Sequence, residues 1–478
     1  KMNRSKRLYV LFGVLLVFCA VTLGVSRYEE HTEKIKNSNE IIMEINSDDV
    51  TSLSWECGSE AFAFHKDEIW LYDEDENFPV NEDKIGQLLD NFKSFGVSFM
   101  IEDAEDLSQY GLNEPICKIY IGEGEETYEI ALGNYSEMDE ERYVSIGDGN
   151  VYLVKDDPLN SFDIELSEMI RHDKIPEFDF VTEIEFAGSE NYKAVYKEDN
   201  QVTYSKEDVY FVKEDGKELP LDTENVDRYL EVIRELNLTN YVSYYVTDEE
   251  LRTYGLDEPE LDVTLKYLAA EDEGEEETEE TVDLHISREP EEKKRAEEAA
   301  KSSASDESPE DTETVEEITA YVRVGESKII YKLSGLDYEE LMDASYNAFR
   351  HKKVIWVDFD DISHVEISLE GAEYELTVKE EDKENVWYYQ KEEIETDDFR
   401  NALNSLSASE FTEEEPAGKE EISLTLQINS DNQPEVQIEL YRYDGDNCLA
   451  VVDGTSVALV DRSYVVGLIE AVNSIVLN

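Results

Sequence analysis

The chain has 478 residues, more than one ordinary hydrophobic core organises, so several folded units are expected. Hydrophobic residues at 40%, aromatics at 10% and 29 tyrosines supply packing material along most of it, while 118 Asp and Glu against 42 Lys and Arg leave a formal net charge of −76. A field of that sign repels phosphate backbones, which argues against nucleic acid as a partner and leaves solvated acidic surface with, at most, weak cation binding.

The first residues differ from the rest. Lys1, Arg4, Lys6 and Arg7 make a basic tail over residues 1–7, and an uncharged apolar run follows at 8–26. At about 1.5 Å per residue the run is long enough to cross a bilayer core of about 30 Å. It reads as a single-pass transmembrane helix in a cell membrane, with the N-terminus cytoplasmic and the bulk of the chain extracytoplasmic beyond a linker at 27–40. A cleaved signal peptide, with Gly24 and Ser26 as the small residues at its cleavage site, is the competing reading.

Beyond the linker the chain repeats itself. Val50-Thr51-Ser52-Leu53-Ser54-Trp55, Val181-Thr182-Glu183-Ile184-Glu185-Phe186 and Ile362-Ser363-His364-Val365-Glu366-Ile367 each alternate apolar with polar residues, as half-buried strands do. Further strands end at Tyr72, Val212 and Tyr389. An amphipathic helix then follows in each copy, with stripes at Ile85, Leu88, Leu89 and Phe92, at Val226, Tyr229, Leu230 and Ile233, and at Phe399, Ala402, Leu403 and Leu406. Asn81, Thr223 and Thr396 or its neighbours are the expected N-caps.

After the helix, Asp106-Leu107-Ser108-Gln109-Tyr110-Gly111-Leu112-Asn113-Glu114-Pro115 aligns without gaps on Glu250-Leu251-Arg252-Thr253-Tyr254-Gly255-Leu256-Asp257-Glu258-Pro259. The pattern predicts one short helical turn ending at Tyr, Gly in the left-handed position, Leu folding back and Pro preventing resumption. Only Pro416 survives of it in the third copy. Returning strands and hairpins through Asp148-Gly149-Asn150 and Asp453-Gly454 come next. A closing helix is expected to end at Arg171-His172-Asp173-Lys174 and at Arg350-His351-Lys352-Lys353.

The predicted architecture is therefore α+β: an N-terminal transmembrane helix, then repeat units at 41–176, 177–354 and a divergent 355–478, each of antiparallel strands with a packed amphipathic helix and a closing helix. Acidic low-complexity insertions at about 269–280 and 288–317 interrupt the second unit, with a strand-like island at Val282 to Ile286 and transient helix around Glu291 to Lys301. Cys57, Cys117 and Cys448 read as buried apolar residues, with a Cys57 to Cys117 bridge as the alternative.

The doubled Tyr-Gly-Leu-x-Glu-Pro segment, the hairpin ending in Val151-Tyr152-Leu153-Val154 and the Arg-bearing end of the closing helix resemble a bacterial family classed as a domain of unknown function. The resemblance covers nearly the whole outer part through two copies, while the third lacks Tyr-Gly-Leu. Members are typically tethered to the membrane, carry tandem copies and are often encoded beside gliding-motility-type ABC transporter subunits. The resemblance implies a transporter-associated envelope role and no catalytic residue.

Direct reading of the chemistry agrees in kind. His31, His65, His172, His285, His351 and His364 form no HExxH, and GxGxxG, GxxxxGK[ST] and GxSxG are all missing, so no cofactor or metal is expected. His172 and His351 recur at matching positions, which reads as cationic helix ends. Asp148-Gly149-Asn150 and Asp444 to Asn447 look like fragments of calcium loops, and turn chemistry explains both. The residues singled out are Tyr110, Gly111, Leu112 and Pro115 with Tyr254, Gly255, Leu256 and Pro259, as a structural motif. The expected function is binding or scaffolding of a protein partner, with transporter subunits as candidates; the alternative is an envelope hydrolase acting on wall polymer or glycan through a carboxylate pair.

Overall fold

A computed structural model describes Thr22 and residues 40–102, 104–178, 180–198, 202–214, 216–269, 278–303, 318–381 and 384–477. Two compact units divide the chain, Lys1–His172 and Asp173–Asn478. The first holds one large sheet, the second two.

All three large sheets follow one plan, with every pairing antiparallel. In the first, Val50–Cys57 lies at the centre, and Glu60–Lys66 and Trp70–Tyr72 step outward from it to one edge. The helix Glu82–Asp90 then carries the chain to the other edge, where Phe99–Ile101 sits. The chain returns to the centre as Cys117–Glu123, beside Val50–Cys57, and meanders outward through Glu126–Ser136 and Glu141–Ser145 to Val151–Val154, which closes against Phe99–Ile101. Phe180–Ala187 and Leu261–Ala269 occupy the same central pair in the second sheet, as do Ile362–Leu369 and Glu420–Ile428 in the third. The second and third sheets add one edge strand, Lys217–Pro220 and Glu392–Ile394, that the first lacks.

Alternation explains why these segments are strands. Leu261, Val263, Leu265 and Tyr267 are buried while the residues between them are half-buried, so one face of each central strand supplies a core. Each crossing helix turns its apolar stripe to that face: Ile85, Leu88 and Leu89 in Glu82–Asp90, Val226, Tyr229, Leu230 and Ile233 in Thr223–Arg234, and Phe399 and Leu403 in Asp397–Ser405 are buried. In the first unit a cluster of edge-on and tilted aromatic rings marks the contact, with Trp55 at 5.4 Å from Phe162 and Phe162 at 5.8 Å from Phe92.

The fold class is accordingly corrected from α+β to mostly β, because each copy spends its length on an eight- or nine-stranded meander and spans it with few helices. No helix among the described residues is long and apolar enough to cross a membrane; the segment 8–26, where the membrane-spanning helix is expected, lies outside the described residues except for Thr22. The closing helix is also corrected. It shrinks to Leu159–Phe162 and a 3-10 turn at Leu166–Met169 in the first copy and to Gly335–Met342 and Tyr346–Phe349 in the second, and is long only as Arg462–Val476 in the third.

Three smaller differences have local causes. Asp222, not Thr223, caps the second crossing helix by accepting from the Glu224 N–H, because the Thr223 hydroxyl is engaged with the Glu207 carbonyl. The island at 282–286 belongs to a longer strand, Thr278–Arg288, since the acidic stretch before it continues the ladder of Leu261–Ala269. Helix Pro290–Ser303 follows, while 270–277 and 304–317 lie outside the described residues. Finally, Cys57 and Cys117 are disulfide-bonded: they face each other across the central strand pair, with Cα atoms 4.1 Å apart.

Candidate binding site

The Tyr-Gly-Leu segment makes the same cap in both copies. Gly111 and Gly255 share a φ of 72°, which a side chain would disfavour. The Leu112 N–H donates to the Leu107 carbonyl at 3.1 Å and the Gly111 N–H to Ser108; Leu256 and Gly255 donate in the same pattern to Leu251 and Arg252. This pair of bonds is the Schellman arrangement, which satisfies carbonyls left open by the ended turn. Pro115 and Pro259 stand just before the central returning strand.

The motif lies over the second face of the sheet, away from the crossing helix. Leu256 is buried with Val246 and Ile330, against which Leu251, Tyr254 and Tyr321 pack. The ring of Tyr254 meets Tyr321 at 4.8 Å and that of Tyr110 meets Tyr143 at 5.0 Å, positions that correspond in strand register. A Cβ on Gly133 would stand 2.2 Å from the Tyr110 carbonyl oxygen, which explains a glycine within that strand. Tyr110 and Tyr254 are thus packing residues. In the third copy Leu449, Val451 and Leu459 with Tyr441 cover the same face without the motif.

The polar chemistry lies elsewhere, at the junction of the second and third copies. Asp208, buried, accepts from the Thr203 hydroxyl at 2.7 Å and from the Trp356 indole N–H at 3.0 Å, and its other oxygen is 2.9 Å from His351 Nε2. The His351 ring stacks on Trp356 at 4.0 Å and 7°, and its Nδ1 lies 3.7 Å from Asp222, the helix cap. Both imidazole nitrogens therefore face carboxylates. Burial pushes the Tyr204 phenol, beside Trp356, well up from its usual value.

Local backbone geometry places these groups. Arg350 is the C-cap of the Tyr346–Phe349 turn and is itself extended, so the helix stops there and does not continue through the segment His351-Lys352-Lys353. Its main chain is used instead to pair with the third copy: Val354 N–H donates to Leu406 and Ala408 N–H to Lys352. The repeated Arg-His pairing seen in sequence is also one residue out of step. The N-cap N–H donates to Met169 in the first copy and to Phe349 in the second, so His351 corresponds to Arg171, not to His172.

Beside this network a cavity of about 170 Å³ opens, lined by Pro220, Tyr346, Val354, Trp356, Phe411 and Val457 together with Arg350, His351, Lys352 and Lys353. It shares Leu219, Arg350 and Val452 with the lining of a wider recess of about 620 Å³. The Arg350 guanidinium sits 4.2 Å from the Phe411 ring and 5.1 Å from that of Tyr346. Asp208, Tyr204, Trp356 and Phe411 were not legible as site residues, since 148 positions separate Trp356 from Asp208.

The calcium-like fragments close on themselves. Asp148 accepts from Asn150, and Asp444 from the N–H groups of Asp446 and Asn447, which is turn chemistry. Among the described residues no cluster of three or more His, Cys, Asp or Glu is arranged to hold a metal ion.

Two overlapping segments, 70–259 and 212–424, match the family described as domain of unknown function DUF4340. No curated protein and no solved structure matches the chain. Each matched segment begins in the outer strands of one copy and runs into the next, the first stopping just before Leu261–Ala269 and the second within Glu420–Ile428, so the domain recurs along the polypeptide. Spanning most of the sequence between them, the two matches show that this chain belongs to the DUF4340 family.

Proposed function

We propose that this protein is an extracytoplasmic binding or scaffolding protein whose repeated sheets engage a protein partner. The observation that carries the reading is repetition: one strand order recurs three times, and each copy presents strands at the edge of its sheet, such as Trp70–Tyr72 and Glu392–Ile394. The Cys57–Cys117 bridge supports the compartment, because disulfides persist where the surroundings are oxidising. His351 supports binding over catalysis, since both its nitrogens are turned to carboxylates and neither to a nucleophile.

Resemblance to proteins encoded beside gliding-motility-type ABC transporters makes transporter subunits the partner class. Affinity purification of the full chain from crosslinked native membranes tests this. Transporter subunits recovered in stoichiometric amount are the expected result; recovery of no stoichiometric partner under mild detergent defeats the proposal.

A further inference from the structure

The cavity between the second and third copies reverses the charge of the chain around it. The protein as a whole carries −76, yet Arg350, Lys352 and Lys353 line this cavity and, among the described residues, no carboxylate does; Asp208 and Asp222 contact His351, which also lines it. Several arginines of the same unit pair with acids, as Arg288 does with Glu260 and Arg442 with Glu421. Among the described residues Arg350 instead bonds to Asn347 and lies between the rings of Tyr346 and Phe411. A guanidinium that stacks on aromatic rings can still donate from its edge to a carboxylate. The remaining wall is apolar: Pro220, Val354, Trp356, Val452 and Val457.

We propose that this cavity binds a small monocarboxylate with a compact apolar body, the body held against Trp356, Val354 and Val457 and the carboxylate held by Arg350, with Lys352 and Lys353 adding attraction. A cavity near 170 Å³ is similar in size to one that accepts benzene, about 150 Å³, so a body of roughly six to eight carbons fits. Arg forks pair well with planar carboxylates, and the partly desolvated site strengthens that pairing. The wider recess outside carries Glu214, Glu413, Glu415 and Glu439, which disfavours polyanions and selects a single negative charge. This goes beyond the protein-partner reading, and neither depends on the other.

Titration calorimetry of the full chain with hexanoate and phenylacetate tests it, with hexylamine as a body of the wrong charge and acetate as a charge without a body. Saturable one-site binding of both acids, accompanied by a change in Trp356 emission, and no binding of hexylamine or acetate is expected. Arg350→Gln should weaken the acids roughly tenfold or more, the worth of a charge-assisted hydrogen bond. Val457→Phe, which fills the cavity and leaves every cation in place, should abolish binding. Failure of both acids to bind the unaltered protein, equal binding of hexanoate and hexylamine, or acid affinity unchanged in Val457→Phe overturns the proposal; the first two outcomes need no variant to fold.

Discussion

Replacing Gly111 by Ala separates two costs that the motif glycine avoids. Its φ of 72° places it in the left-handed region, where a side chain costs roughly 1 kcal/mol. The added Cβ would also stand 2.4 Å from Asn134 Oδ1 and 2.9 Å from the Asn134 backbone nitrogen. The amide can swing away but the backbone cannot without moving its strand, which adds about 1–3 kcal/mol. The expected loss is therefore about 2–4 kcal/mol. Gly124→Ala is the control, since its φ of 62° carries the first cost and open space surrounds its Cβ.

Hydrogen exchange read by mass spectrometry on the full chain, over Cys117–Glu123 and Glu126–Ser136, reports opening of this part of the sheet. At about 1.4 kcal/mol per tenfold, Gly111→Ala should speed exchange roughly 30- to 900-fold and Gly124→Ala about fivefold. Adding Asn134→Ala to Gly111→Ala should recover part of the difference, because the backbone contact remains. Equal exchange in Gly111→Ala and Gly124→Ala would refute the steric half of the reasoning.

Four further outcomes follow from geometry already described. Breaking the bridge with Cys57→Ala and Cys117→Ala together should cost up to about 4 kcal/mol, the loop-entropy value for a separation of 60 residues, seen as a lower urea midpoint of the emission of neighbouring Trp55. Without reductant Cys57 and Cys117 should resist alkylation, and so should Cys448, whose thiol burial pushes up to about 11; labelling of Cys448 in the folded protein would contradict its placement. Burial would raise the Glu260 carboxyl, but the N–H and guanidinium of Arg288 and the Tyr338 hydroxyl hold it below its ordinary 4.5, so the pair stabilises fully above about that pH and the contribution fades as pH falls through the lower folded value. Glu260→Gln should flatten the acid limb of the melting temperature in that window, and an unchanged acid limb would remove Glu260 from the account. Asp208→Ala leaves Thr203 and Trp356 without their acceptor and should cost about 3 kcal/mol, measured as faster exchange across residues 350–358.

What sequence makes legible here is what short-range periodicity encodes. Alternation in Val50 to Trp55 and its two counterparts marks central strands, and stripes such as Ile85, Leu88 and Leu89 mark the helices that cover them. The cap at Gly111 and Gly255 is legible for the same reason, since all its hydrogen bonds join residues within one turn. Arg350 to Lys353 misleads because cations near a turn look like a helix end until a distant strand, reached through Leu406, claims their backbone. Asp208 with Trp356, and Arg350 with Phe411, are invisible beforehand because tertiary packing alone joins them.

The placement of the two central strands decides where this polypeptide tolerates being divided. A fragment trimmed to the matched segment 70–259 would begin after Val50–Cys57 and stop before Leu261–Ala269, so Cys117–Glu123 and Phe180–Ala187 would each lose a neighbour from the middle of a ladder. Such bare inner strands invite pairing between molecules and precipitation during expression. Severing between His172 and Asp173 leaves every ladder whole, and pieces made there are the ones to express.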